Sequence, residues 1–323
     1  MSASTQFSQP DAVEAWDAAF RWRQAERLRD VTIEDTWRRV ADTAASAGPS
    51  QAAAWARRYT DAFRRWRLLP EERLLRALGT DLALDPPTEP GAVLNVHAFV
   101  VRPPYSGTYF DRDSFVATAA VAVHLLDDAA TALHAAPRPR RLRIGIIGLA
   151  NALQVLELNS ENAGGSHLAA SIAQALAEGC LLGSVELAEA QGSRLTPEEC
   201  QARSDRLRHR HMPDALIERM LVAGLCHDSL TAIDPHPLLA RLANGVADAI
   251  DPLPPHRASV AADCSRARVN VRDLRADIQP WIDEPIAYAA AGSVCSGHSR
   301  PEAEPPPMPL TINDTIKRQE NSP

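Results

Sequence analysis

Cysteine is scarce in this chain and is never spaced as a pair. The five thiols, at 180, 200, 226, 264 and 295, contain no CxxC and are odd in number, which excludes an ordinary disulfide framework and a paired-thiol zinc site. A reduced, cytoplasmic chain is expected. The N-terminus MSASTQFSQPDAVEAW lacks a basic segment followed by an apolar stretch, and nowhere do about 18 apolar residues run unbroken. Neither secretion nor membrane insertion is expected. Positive charge is not in excess either: the net charge is −7 and the pI about 5.8, with arginines interleaved among acids, so a nucleic-acid surface is excluded. The nucleophile elbow G-x-S-x-G, the phosphate loop G-x-x-x-x-G-K-[ST] and the kinase signatures are all missing.

What the chain has is helix. Its 323 residues, 45% hydrophobic and 23% charged, can bury the core of one large or two ordinary domains. Val13, Trp16 and Phe20 recur at helical spacing, and Thr32-Ile33-Glu34-Asp35 reads as a capping box, with Asp for the usual Glu, ahead of Trp37, Val40 and Ala44. Trp55, Tyr59, Phe63 and Trp66 share a helix face predicted to be core and to end at Pro70, while Arg57, Arg58, Arg64 and Arg65 fill the other. VLNVHAFVV, residues 93–101, is short and β-branched and reads as a buried strand. PPYSGTYFDRD then turns the chain into a helix over 114–135, and RLRIGIIGLANALQVL reads as strand, glycine turn and helix. Further helices are expected over 166–191, 197–211, 213–224 and 237–249. Residues 296–323 are polar and proline-rich and are expected to form a disordered tail.

Two stretches invite a chemical reading. Gly145-Ile146-Ile147-Gly148 lacks the third glycine of a dinucleotide fingerprint and reads as a tight turn that packs helix on strand. RHRHMPD and LCHDSLTAIDPHP offer His209, His211, Cys226, His227, Asp228 and His236 as metal ligands, but at neither CxxC nor HExxH spacing. His209 and His211 are placed instead in a helix C-terminal turn, where they suit the dipole.

Seven phrases carry a family resemblance through their shared order. They are EDTWRRVA at 34–41, WARRYTDAFRRWRLLPEERLLRALGT, VLNVHAFVV with its helix ending LLDDA, RLRIGIIGLANAL, GSVELAEAQG, DSLTAIDPHPLLARLANGVADAIDP and IQPWIDEPIAYA. Across most of residues 7–290 they resemble the large chain of ribonucleotide reductase, particularly the adenosylcobalamin-dependent kind. Gly79 and Thr80 keep the family's Gly-Thr ending, whereas Glu72 stands where the family has glycine. The resemblance implies a closed ten-stranded α/β barrel with a radical cysteine on an internal finger loop, Asn-Pro-Cys-Gly-Glu. The matching residues here are Asp85-Pro86-Pro87-Thr88-Glu89, so the radical position holds Pro87 and only Glu89 survives as a residual catalytic candidate. The family's phosphate loop Pro-Thr-Gly-Thr corresponds to Pro235-His236-Pro237-Leu238, which has lost both hydroxyls and, at Pro237, an amide donor.

Between Thr80 and Asp85 the chain skips most of the first half of that barrel. The expected fold is therefore α/β and mostly helical: an N-terminal helical region over 1–80, an incomplete reductase barrel over 81–295, and the tail. The expected function is binding, to itself or to a complementary reductase-like chain, with the catalysis lost and no cofactor or metal required. These losses also count against nucleotide binding. The alternatives are a working ribonucleotide reductase or one subunit of a split enzyme, with adenosylcobalamin as cofactor, and an unrelated metal-dependent enzyme built on the histidine-rich segment.

Overall fold

The computed structural model describes residues 5–48, 51–135, 140–158, 163–253 and 274–286. The expected tail at 296–323, together with Cys264 and Cys295, lies outside the described residues. Four helices build the N-terminal part: α1 (Pro10–Ala19), α2 (Ile33–Ala45), α3 (Ala52–Arg64) and α4 (Glu72–Ala77). Strands β1 (Arg23–Gln24) and β2 (Arg27–Leu28) pair between the first two. The capping box forms, the Asp35 carboxylate accepting from the Thr32 backbone N–H at 2.8 Å. On α3, Tyr59 and Phe63 are fully buried, and Trp66 just beyond the helix is buried too, while Trp55 is half-buried. The helix stops at Arg64 rather than at Pro70. Trp66 takes a left-handed φ of 57° and redirects the chain into strand β3 (Leu68–Pro70).

The main sheet has the order β3-β4-β7-β8. β3 runs antiparallel to β4 (Gly91–Asn95), which is parallel to β7 (Arg140–Ile147), which is parallel to β8 (His227–Thr231). VLNVHAFVV is strand only as far as Asn95; Val96–Phe99 form a 3-10 turn, and β5 (Val100–Val101) then pairs with β6 (Tyr109–Phe110). Parallel neighbours need long crossovers. The first is α5 (Arg112–Ala132); the second contains α6 (Leu149–Val155), α7 (Ala163–Gln191), α8 (Pro197–His209) and α9 (Asp214–Ala223). Helix α10 (Pro237–Leu242) follows β8 and ends seven residues before the expected boundary at 249.

The α/β, mostly helical class holds, but no closed barrel is seen. Closure fixes strand number, tilt and stagger together, and the main sheet of the described residues is open and four-stranded. The outer side of β8 is taken by residues near 283: the Asp283 carboxylate accepts from Leu230 N–H at 3.0 Å, and Glu284 N–H donates to the Thr231 carbonyl at 3.1 Å. An edge covered in this way does not template a further strand.

α5 and α7 pack against the sheet and against each other. Their approach is set by glycine: a Cβ on Gly183 would stand 2.7 Å from the Ala120 carbonyl oxygen, and one on Gly179 would stand 2.6 Å from Ala119 Cβ. Both helices are long and apolar enough to cross a membrane, but 72% and 61% of their most apolar windows are buried inside the protein. They are core helices. One hydrophobic core reaches from Trp16 through the sheet to Ile286, and a second cluster joins α7, α8 and α9 around Leu181, Leu207 and Met220.

Candidate functional site

Glu89 sits in the loop that leads into β4, half-buried, with Pro87 buried beside it. Its carboxylate is held by Arg141 Nε at 3.1 Å and Arg143 Nη1 at 3.4 Å. Both guanidiniums come from β7, where residues 141 and 143 share a face because side chains alternate along a strand. Arg143 also grips Asp234 in a bidentate pair, both contacts at 2.7 Å, and this hydrogen bonding lifts its pKa further above the usual range. Arg141 reaches Glu284 at 2.6 Å, and Ser229 donates to the same carboxylate at 2.7 Å. Two cations thus meet three carboxylates. The cluster lies at the amino end of β4, Gly91 being opposite Arg143, whereas ligands of open α/β sheets gather at the carboxyl ends. It can clamp the loop to the sheet, but it offers no free base.

The Pro235–Leu238 segment is closed off by acids. His236 N–H donates to Asp248 Oδ1 at 2.8 Å, and its Nδ1 is 3.3 Å from Glu72 Oε2. Pro237 opens a helix of only six residues. Burial works to lower the His236 pKa, but the hydrogen bond and charge of Glu72, with Asp248 and Asp234, outweigh it and raise the net value. Burial likewise raises Asp248. An incoming phosphate would meet carboxylates here.

The metal reading brings nothing together. His209 ends α8 on the surface with Nδ1 2.6 Å from the Asp205 carbonyl oxygen, and exposed His211 follows at a left-handed φ of 51°. Asp228 is exposed, and His236 is taken by Glu72. No group of three or more His, Cys, Asp or Glu at metal-binding distance occurs among the described residues. Burial raises the pKa values of the Cys180, Cys200 and Cys226 thiols, which makes them poor nucleophiles at neutral pH. In the glycine motif, Gly148 takes φ 74° at the turn from β7 into α6, and a Cβ on Gly145 would stand 2.5 Å from the Ala232 carbonyl oxygen. That is the close-packed turn the sequence suggested.

One buried polar group is not revealed by the motifs. Asp127 of α5 is 1% exposed and is held by Arg140 of β7 and by Arg194, whose two contacts measure 2.6 and 3.0 Å. His227, fully buried, stands 3.5 Å from the same carboxylate through Nε2 and 2.9 Å from Ser184 Oγ through Nδ1. Serine, imidazole and carboxylate lie in the order of a hydrolytic triad. The serine is fully buried, however, and accepts the Cys226 N–H at 3.2 Å, and the carboxylate is already neutralised by two arginines. Substrate has no approach to it. Its role is to tie α5, β7, α7 and β8 together. The available signal was Asp127 itself, a carboxylate on the buried face of an apolar helix, which requires a partner.

No family model and no curated protein matches the chain. The geometry is therefore the ground for any functional assignment.

Two histidines give the fold opposite responses to pH. Burial pushes His227 below the usual imidazole value in spite of Asp127. Below about pH 6.5 the unfolded chain takes up a proton that the folded site refuses, so stability falls with acid. Burial would raise Asp127, but His227 and Arg194 hold it far below the carboxylate range, so its contribution is also lost in acid. His236, with a raised pKa, stabilises fully below about pH 6.5, and that contribution disappears as pH rises through its folded value. The urea midpoint is expected to peak near about pH 6.5, with His236→Gln flattening the alkaline side and His227→Asn the upper acid side. Wild-type midpoints that stay constant from about pH 5 to about pH 8 would contradict both assignments.

Proposed function

We propose that this chain is a reductase-like protein that has lost radical chemistry and acts by binding, either to itself or to a second reductase-like chain. The observation that carries the proposal is the pairing of Glu89 with Arg141 and Arg143 beside a buried Pro87. Glu89, the counterpart of the family's finger-loop glutamate, is spent on fastening the loop, and a proline ring cannot form a thiyl radical. Adenosylcobalamin has no role in this reading, and a cytoplasmic location is part of it. The acids around His236 support the loss of the phosphate loop.

Asp283 on the edge of β8 weighs against a split enzyme in which another chain adds the missing strands there. Contact through surface loops suits the fold better. Tyr105, in the loop between β5 and β6, is fully exposed and Tyr109 is half-exposed, and aromatic residues in such positions are frequent anchors of protein interfaces. Light scattering of the full chain across a concentration series, alone and with a reductase large chain, is expected to show a complex that Tyr105→Ser weakens on the order of tenfold. A strict monomer under every condition would defeat the binding reading. Deoxyribonucleotide formed by the chain with dithiol and adenosylcobalamin would defeat the loss of catalysis.

A further inference from the structure

An open trough of about 420 Å³ lies where α3 and α7 flank α5, within the size range of small-ligand sites. Its aliphatic lining consists of Ala117, Ala120 and Val121 of α5, with Ala62 of α3 and Leu182 of α7. At one wall Trp55 stacks on His124, the ring centroids 4.1 Å apart, and Arg58 lies 4.6 Å from the indole centroid. Charged groups complete the lining, and their partners decide what the trough can accept. Both carboxylates are engaged: Asp61 by Arg65 at 3.0 Å, and Glu186 by His124 at 3.2 Å.

The two arginines are not hydrogen-bonded. Arg67 rests over Phe99 at 4.8 Å, and its nearest carboxylate, Asp111, is 3.9 Å away, beyond hydrogen-bond reach. Arg58 lies over the indole and its charge reaches Glu186, and neither guanidinium has a hydrogen-bond acceptor among the described residues. A guanidinium carries five N–H donors in a planar fork suited to carboxylate and phosphate oxygens. The Arg67 side chain keeps 21% of its surface exposed. Elsewhere in the fold, arginines of similar exposure are hydrogen-bonded to acids: Arg143 to Asp234 at 2.7 Å and Arg194 to Asp127 at 2.6 Å.

We propose that this trough binds a small amphipathic anion, a carboxylate or phosphate monoester on a compact apolar body, with the anion on Arg67 or Arg58 and the body on the alanine floor. The site is separate from the Glu89 loop and does not depend on the reductase-like reading. An amine would find both carboxylates of the lining already engaged. An alcohol would gain the floor contacts without the charge-assisted hydrogen bonds.

The test is isothermal titration of the full chain with hexanoate and with hexyl phosphate, with hexylamine and hexanol as controls, and with the fluorescence of Trp55 read as the difference between wild type and Trp55→Phe. Saturable binding of at least one anion is expected, with little or none for the amine and the alcohol. Arg67→Gln is expected to weaken binding on the order of tenfold or more, the loss of hydrogen bonds to a charged group. Arg58→Gln, at an exposed position, gives a second reading if Arg67→Gln folds poorly. Arg57→Gln, on the same helix but outside the lining, is expected to change nothing. Preference for the phosphate over the carboxylate would define the head group. Absence of saturable binding by both anions, equal binding of hexanol, or indifference of both Arg67→Gln and Arg58→Gln would overturn the proposal.

Discussion

Asp127→Ala is expected to lower the folding stability by about 3–5 kcal/mol, the cost of leaving buried charge without its partner. Arg140 and Arg194 keep 5% and 14% of their side-chain surface exposed, and both take their carboxylate from Asp127. Without it, two guanidiniums and the His227 imidazole face one another in a site that water barely reaches. The neutral Asp127→Asn retains the shape and part of the hydrogen bonding, so a smaller loss is expected. Replacing Asp127, Arg140 and Arg194 together by apolar residues of similar size is expected to recover most of the deficit, because the folded state then buries no charge at that place. Urea denaturation of the four proteins at neutral pH makes the comparison. An Asp127→Ala midpoint indistinguishable from wild type would show that the arginines find other partners and that the cluster does not hold the helices to the sheet.

Gly179→Leu is expected to destabilise by about 1–3 kcal/mol or more, because extra atoms inserted into a filled interface force backbone to move. Even a single Cβ there would stand 2.6 Å from Ala119 Cβ, and the Val116 carbonyl is also in its way. α5 and α7 cannot both keep their places on the sheet. Gly183→Leu is expected to act in the same direction, since its obstacles, the Ala120 carbonyl at 2.7 Å and Val123 Cβ at 2.9 Å, lie on the same helix. Each 1 kcal/mol corresponds to a shift of roughly 2–4 °C in melting temperature for a chain of this size. Melting temperatures within a degree of wild type for both variants would mean that the helix pair is looser than these distances imply.

The helices were legible because their signal is local. Apolar residues at three- and four-residue spacing, the Thr32 box and Pro197 in the first turn of α8 each act within a few residues. Strands β3 and β8 were not legible. Leu68–Pro70 is too short to display alternation, and its proline reads as a helix end. His227–Thr231 is mostly polar, and its sequence reads as metal ligands. It can be a buried strand only because Ser184, Asp283 and Glu284 supply partners from 43 to 55 residues away. The arrest of α3 at Arg64 was equally hidden, since nothing before Trp66 disfavours helix.

The loop around Glu89 shows the same division. Pro87 and Glu89 can be read directly from the chain, but the engagement of Glu89 depends on Arg141 and Arg143, 52 and 54 residues further on. By itself the sequence determined which segments are helical, where thiols are missing and which residues could carry charge. Tertiary structure alone decided that the sheet stays open, that Asp127 becomes the central counter-ion and that Arg58 and Arg67 keep unfilled donors. The physical reason is range: periodicity and capping are set by neighbours along the chain, whereas burial and pairing of charge depend on groups that meet only when distant segments pack.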